Sequence, residues 1–303
     1  KLNANMVDFA FPHRYSNFVS LATALTLSRI QAQASLVEQV VKDHVKYGAS
    51  SSSRSTLTPA FFVNVYPFES KLLAVRAFAK KSFRMPTFND LYYADMGNSK
   101  LNPESALQYD LGFVLNKDWK QGIVDHFRLQ VDGYYNTVYD KIVAYPKGQQ
   151  FRWTMLNLGK VHIKGVDAMA EVGLEPAKDW KVTARLQYTY QDARDVTDPN
   201  TSYYKDQIPY IPWHSGSAIL GLSWRELDLA YSFIYSGERY SQQENILYNH
   251  LQPWYTHDMS VAYHARKWSA RLDVNNIFSQ DYDVILNYPM PKRNYMLTLE
   301  YNF

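Results

Sequence analysis

The chain contains no cysteine, which excludes a disulfide framework and any thiolate metal site. It also lacks a long apolar run: nowhere does it approach the roughly 18 consecutive apolar residues of a transmembrane helix. Neither sign of charge dominates, with 32 Lys and Arg against 29 Asp and Glu, so the totals give no reason to expect a nucleic-acid partner. The eight histidines show no HExxH spacing, and no Ser–His or Asp–His pairing has catalytic spacing. The expectation is therefore no enzyme, no metal site and no cofactor. A charged–apolar–small signal pattern is missing too, and the chain opens on Lys1. It is read as a processed chain, a fragment or a portion of something longer.

Aromatic residues are what the chain has in excess: 25 Tyr, 15 Phe and 7 Trp make 16% of its residues, although the mean hydropathy is −0.39. Rings with an apolar body and a polar tip suit membrane–water boundaries, large interfaces and sugar-binding surfaces. The length of 303 residues admits two ordinary domains or one large β domain.

Period-2 alternation decides between these. Tyr295, Leu297, Leu299, Tyr301 and Phe303 alternate with polar residues, Met296 excepted, and Trp268, Ala270, Leu272 and Val274 alternate with Ser269, Arg271, Asp273 and Asn275. Such strands separate an apolar medium from a wet one. The same pattern recurs in Leu107–Asn116, Phe127–Asn136, Val166–Leu174, Trp180–Gln191 and Leu227–Ser236, and more weakly in Phe18–Leu27, Ile30–Val45, Leu57–Tyr66 and Leu73–Lys80. Residues 21–41 also admit a reading as amphipathic helical turns, with Glu38 and Lys42 at i,i+4 spacing. A further alternating piece runs from Met6 to Phe11. Each apolar face is close to what a tilted strand of roughly nine to eleven residues needs to span a bilayer.

Short links near 117–125, 175–179, 224–226 and 264–267 alternate with long ones at 83–104, 193–212, 239–252 and 279–290. That asymmetry is expected of an outer-membrane barrel, and Trp119, Trp180, Trp224 and Trp268 beside the short turns suit an interfacial girdle. A propeller would need a repeat every ~40–50 residues, which is not found, and a sandwich would give shorter strands.

Three segments carry a resemblance. Phe83-Arg84-Met85-Pro86-Thr87-Phe88-Asn89-Asp90-Leu91-Tyr92-Tyr93 precedes Gly97-Asn98 and Leu101-Asn102-Pro103-Glu104; Gly165-Val166-Asp167 opens a strand; and Asn275-Asn276-Ile277-Phe278 with Tyr282 leads to the final strand. Their order resembles the carboxy-terminal half of TonB-dependent outer-membrane transporters, over roughly residues 14–303. One departure is Thr298, where the family's terminal assembly signal often has glycine.

The resemblance implies an all-β, antiparallel, up-and-down transmembrane barrel of about 22 strands with a plug inside, of which about 13 strands are counted here. Residues 1–303 would then be the carboxy-terminal portion of one barrel domain. The plug and the amino-terminal strands would come from elsewhere, as missing residues or a second polypeptide, since an open sheet in lipid leaves backbone groups unsatisfied.

The implied function is active uptake of a scarce nutrient, of iron–siderophore or cobalamin type, across the outer membrane of a Gram-negative bacterium, where the chain would be a multi-pass protein. Implied partners are the TonB-ExbB-ExbD complex acting through the plug, surrounding lipid and lipopolysaccharide, and a possible surface lipoprotein. Haem receptors of the family carry a histidine between Phe83 and Asn102, and this chain has none there. The alternative reading is a self-contained passive porin of 12 or 14 strands; an adhesin or barrel enzyme stands third.

Ligand capture falls to the long loops and upper wall. The candidates are Tyr92, Tyr93, Tyr203, Tyr204, Tyr210, Trp213, Tyr240, Tyr248, Trp254, Tyr282 and Tyr288, whose rings can stack on flat or macrocyclic ligands. Arg152, Arg194 and Arg239 could meet carboxylate or phosphate. Arg76, Arg128, Arg185 and Arg271 are expected to pair with plug acids or with wall acids such as Asp132, Glu171 and Asp273. His250 and His257, around one long loop, are weaker candidates for a metal or haem.

Overall fold

The computed structural model describes residues 10–51, 53–93, 96–146 and 153–302. In chain order the strands are β1 (His13–Thr26), β2 (Ile30–His44), β3 (Arg54–Val65), β4 (Leu73–Arg84), β5 (Glu104–Asp118), β6 (Val124–Pro146), β7 (Trp153–Leu174), β8 (Trp180–Asp195), β9 (His214–Trp224) and β10 (Leu227–Ser236). There follow β11 (Arg239–Tyr240), β12 (His250–Leu251), β13 (Trp254–His264), β14 (Trp268–Asn275), β15 (Asp283–Ile285), β16 (Tyr288–Pro289) and β17 (Asn294–Tyr301), and a helix α1 (Phe88–Tyr92) lies between β4 and β5. Thirteen of the strands form one antiparallel sheet in the order β1 to β10, β13, β14, β17. The helical reading of residues 21–41 fails: β1 and β2 pair in unbroken register from His13↔His44 to Thr26↔Gln31.

Register converts the sequence alternation into two continuous faces. Leu25, Ala32, Val63, Ala77, Leu111, Gly133 and Val166 are aligned across seven strands. Farther round, Ala184, Leu220, Tyr231, Met259, Val274 and Tyr295 continue the same face. Among the described residues nothing covers it: Leu111 is 63% and Leu297 66% exposed. An apolar surface of this breadth is stable only against an apolar medium.

The opposite face is polar and internally paired. Arg76 forks onto Asp132 at 2.8 and 2.6 Å, Arg185 and Arg128 converge on Glu171, and Arg271 donates to Asp273 at 2.8 Å. The four arginines therefore find their partners among the acids of the wall, one of the two arrangements the sequence allowed.

One end of the sheet carries links as short as residues 27–29, 225–226 and 265–267, and the other carries 45–53, 85–103, 196–213, 237–253 and 276–293. At the short-turn end Trp180 stacks on Trp224 with ring centroids 5.5 Å apart, Trp268 packs near Tyr263, and Lys117 lies over Trp119. At the other end β6 and β7 run to 23 and 22 residues, well beyond the segments whose alternation is visible in the sequence. There Val138, Val161 and Ile163 are buried on the inner face against Ile208 of the β8–β9 loop, while Lys160, His162 and Lys164 stand on the outer face, so the sense of the alternation is reversed and no longer reads as a continuation of the strand.

Within the described residues β1 pairs only with β2 and β17 only with β14. The self-contained porin reading requires β1 to close on β17, and that pairing is not made. The Met6–Phe11 piece falls mostly outside the described residues, as do Arg152 and Phe303.

A candidate ligand site at the long-loop end

The β4–β5 connection is a folded module. Thr87 caps α1 by accepting from the Asp90 N–H at 3.1 Å, while the Asp90 carboxylate accepts from the Thr87 N–H at 2.8 Å. This reciprocal cap satisfies two of the amide donors that a helix start leaves open. Gly97 returns the chain so tightly that a Cβ there would lie 2.6 Å from the Tyr93 nitrogen. Leu91 and Leu101 then bury against Ile142 of β6, and Asn102 and Asn157 exchange side chain and backbone hydrogen bonds. Arg14 fixes the far side, forking onto Asp43 at 2.7 and 2.8 Å and donating to the Pro86 carbonyl. Tyr92 and Tyr93 line a cavity of about 460 Å³ beside Tyr47, and the Tyr92 hydroxyl accepts from the Ser51 N–H.

A second group gathers aromatic rings around one arginine. Arg239 is 3% exposed, and its guanidinium donates to the carbonyl oxygens of Gln252, Asp283 and Val284. Burial pulls its pKa below the ordinary value, with Tyr210 and Asp283 opposing. Tyr240, beside it on β11, packs edge-on against Trp213 and His250. Tyr210, in the left-handed region at φ 62°, donates its N–H to the Tyr240 carbonyl and places its ring near Trp153. Trp254 stacks on Tyr282 at 4.6 Å and 27°. That pair lines a cavity of about 450 Å³ with His250 and Asp281, and the buried Trp254 Nε1 has no hydrogen-bond partner among the described residues.

The loops are joined by amides. Gln207, 2% exposed, accepts from the Ala193 N–H and donates to the carbonyls of Gln191 and Ile211. Its backbone exchanges two hydrogen bonds with the Asn245 side chain, linking the β8–β9 and β10–β13 loops. Asn276, at φ 50°, accepts from the Gln280 N–H and donates to the carbonyls of Gln280 and Pro291, closing the base of the β14–β17 loop.

Of the residues expected to capture ligand, Tyr210, Trp213, Arg239, Tyr240, Trp254 and Tyr282 are brought into one linked region. Tyr92 and Tyr93 stand apart on the β4–β5 module. Tyr203 lines a third hollow with Gln242, Glu244 and Asn249, and the Tyr204 ring lies under Lys205. Tyr248 projects at 86% exposure, and Tyr288 is 47% exposed. Arg194 lies on the apolar face, bonded to Asp192. His257 sits on that same outer face, hydrogen-bonded to Tyr231 and edge-on to Phe278, whereas His250 pairs with Glu238 among the loops. Trp153, Gln207, Asn245 and Asn276 were not singled out as ligand-site residues. A buried glutamine or asparagine in a polar loop has no sequence signal that separates it from its solvated neighbours, although Asn276 falls inside a motif already noted.

The family model described as "TonB dependent receptor-like, beta-barrel" matches residues 14–277. Among solved structures, the chain is similar to the copper transporter OprC, with 17% identity and a TM-score of 0.70 over 96% of this chain and 47% of that one. It is similar to the FrpB iron transporter from Neisseria meningitidis in its apoprotein form, with 17% identity and a TM-score of 0.70 over 98% and 47%. The siderophore receptor PiuA from Acinetobacter baumannii gives 14% identity and a TM-score of 0.69 over 96% and 43%. The chain thus spans a little under half the length of these structures.

Proposed function

Because the chain belongs to the TonB-dependent receptor-like β-barrel family, we propose that it supplies the carboxy-terminal wall and ligand-capturing loops of an outer-membrane importer for a scarce metal chelate. The observation that carries this reading is the pairing, among the described residues, of an uncovered apolar face with an ion-paired polar face on a thirteen-stranded sheet whose two edge strands have no second partner there. Further strands complete the wall at β1 and β17, and a plug occupies the space that the polar face borders. TonB, energised through ExbB and ExbD, acts on that plug.

Ligand settles on the region around Tyr210, Trp213, Tyr240, Trp254 and Tyr282, where ring faces offer stacking to a planar or macrocyclic chelate. Arg239 shapes that region from beneath, its donors being held by backbone carbonyls. An iron–siderophore is the first candidate, and cobalamin presents the same combination of size and flat ring. Loop surfaces at Tyr203, Tyr248 and Tyr288 make first contact or receive a surface lipoprotein.

Uptake of radiolabelled iron–siderophores and of cobalamin by cells expressing the protein tests the reading. Accumulation should vanish on deletion of TonB or on adding a protonophore, while surface binding persists. Uptake that is proportional to concentration and indifferent to TonB would sink it in favour of passive diffusion.

A further inference from the structure

The loops that gather the aromatic cluster are acidic on a chain that is slightly basic. Residues 196–213, 237–253 and 276–293 carry six Asp and Glu against four Lys and Arg, whereas the whole chain has 29 against 32. All four of those cations are engaged by the protein. Arg239 is buried on three carbonyls, Arg293 donates from Nε to the Ile277 carbonyl at 2.7 Å, Lys292 pairs with Asp281 at 3.0 Å, and Lys205 lies over the Tyr204 ring. Most of the carboxylates accept from neutral groups instead: Asp198 from Asn200, Asp206 from the Asn245 N–H, Glu244 from the Ser202 hydroxyl and Asp283 from the Asn287 N–H. A neutral donor satisfies a carboxylate and leaves its charge in place.

The hollows carry the same sign. Among the described residues, none of the three loop-end cavities is lined by a Lys or Arg. The cavity of about 450 Å³ sets two carboxylates, Asp281 and Asp283, beside the stacked Trp254 and Tyr282 rings. His250 at its wall pairs with Glu238, and Arg239 offsets part of the Asp283 charge through the backbone carbonyl it holds. Ring faces carry negative potential and attract a cation, Trp most strongly. An anionic chelate needs free cationic donors, of which a guanidinium fork is the best. Here it would find none, and would bring its charge against like charge.

We propose that the hollow at Trp254, Asp281, Tyr282 and Asp283 takes the protonated amine of a cationic metal chelate, so that the protein selects its ligand by positive charge. A trihydroxamate holds iron(III) in a neutral core, and a pendant primary ammonium makes the whole complex cationic. That ammonium lies against the aromatic pair and donates to Asp281 and Asp283, while the core rests on the rings of Tyr210, Trp213 and Tyr240. The site rests on the reading of this region as the ligand-capturing surface of an importer.

The test uses the whole transporter extracted from expressing outer membranes, with binding followed by titration calorimetry. The probes are the iron(III) complex of desferrioxamine B, which carries a pendant ammonium, the same complex N-acetylated, and an anionic iron(III) tris-catecholate. The amine-bearing complex should bind about 10-fold more tightly than its acetylated twin, and the tris-catecholate more weakly than either. That preference should shrink as salt rises, because screening acts on the charge alone. The double variant D281N/D283N should erase it. Lys292→Gln frees Asp281 from its ion pair and should widen the preference, a gain that misfolding of the hairpin cannot mimic. Failure of the amine-bearing complex to outbind its twin, tighter binding of the tris-catecholate, or a preference that neither D281N/D283N nor Lys292→Gln alters would overturn the proposal. Uptake of both trihydroxamate complexes is measured in parallel with and without TonB. Entry of both that needs TonB but ignores the amine removes the charge selection alone, whereas entry indifferent to TonB means that the importer reading has failed.

Discussion

The Arg239 guanidinium donates from Nη2 to the carbonyl oxygen of Asp283 at 2.6 Å, joining residues 44 apart in sequence. Its other donors reach Val284 and Gln252, so one side chain ties the β14–β17 loop to the base of the β10–β13 loop. A lysine carries the same charge but a single ammonium, which cannot fork across three carbonyls. Arg239→Lys should therefore loosen residues 276–293 and weaken ligand capture, with a local loss of about 2–3 kcal/mol. Hydrogen exchange should rise in that loop and remain unchanged in β5 to β7; unchanged exchange in the loop would show that the tie is dispensable.

Tyr210 lies against this arginine, and burial raises its phenol above the ordinary value of 10.0, partly offset by a backbone hydrogen bond from Leu286 and by Arg239. Tyr282 is also raised, by burial first and then by Asp258. A folded pKa above the unfolded one gives stability that is complete below the unfolded value and lost as pH rises through the folded value. The aromatic loop cluster should accordingly hold through neutral pH and open only above about pH 10. Tyrosinate absorbance and Trp fluorescence followed in alkaline titration should show this late step, and Tyr210→Phe should reduce it.

What the sequence discloses and what it hides divide along physical lines. Where one face meets an apolar medium and the other meets water, as at Leu107–Leu115 or Trp180–Tyr190, alternation marks each strand and sets its register. Where the β8–β9 loop covers the inner face, as at Val138 and Ile163, the apolar residues change sides and the upper halves of β6 and β7 escape notice. The hairpins β11–β12 and β15–β16 are too short to show a period at all. Arg239 illustrates the limit for the site: its sequence context suggests a solvent-facing anion binder, but its three carbonyl partners are assembled from two distant loops. Convergence of that kind is a property of the fold and leaves no local trace.

Gly165 and Gly133 occupy the same sheet and make opposite demands. A Cβ at Gly165 would collide with the Tyr134 hydroxyl and the Tyr190 carbonyl, whereas at Gly133 it would make only an ordinary contact with the Leu111 carbonyl oxygen at 3.8 Å. Gly165→Ala should destabilise the wall by about 1–3 kcal/mol, as overpacking does. Gly133→Ala should be nearly neutral. Thermal unfolding in detergent compares the two, and equal midpoints would contradict the assignment of Tyr134 across Gly165.

Asn276 combines a left-handed backbone with three side-chain hydrogen bonds, and its backbone N–H donates to the Asp258 carboxylate at 2.6 Å. Asn276→Gly keeps the positive φ without strain and removes only the side-chain bonds. It should cost about 2–3 kcal/mol at the base of the β14–β17 loop. Asn276→Ala should cost more, because alanine is also disfavoured at that φ. Proteolytic nicking between residues 276 and 293 should follow the order wild type, glycine, alanine.

Leu186 and Gln187 are adjacent on β8 and face opposite media. Leu186 is 59% exposed in register with Ala170 and Ala218, on the apolar face. Gln187 is in register with Met169 and Ser217 and accepts from the Ser217 hydroxyl at 3.1 Å. An arginine placed on the lipid side near mid-wall costs about 2–4 kcal/mol, while one on the wetted side meets water and nearby carboxylates. Leu186→Arg should therefore deplete the heat-modifiable, assembled form, and Gln187→Arg should leave it close to wild type. Because the two positions share one strand, differences in intrinsic strand preference cannot produce the contrast. Equal assembly of both variants would mean that the uncovered face of this sheet does not meet lipid, and it would remove the support for the importer wall.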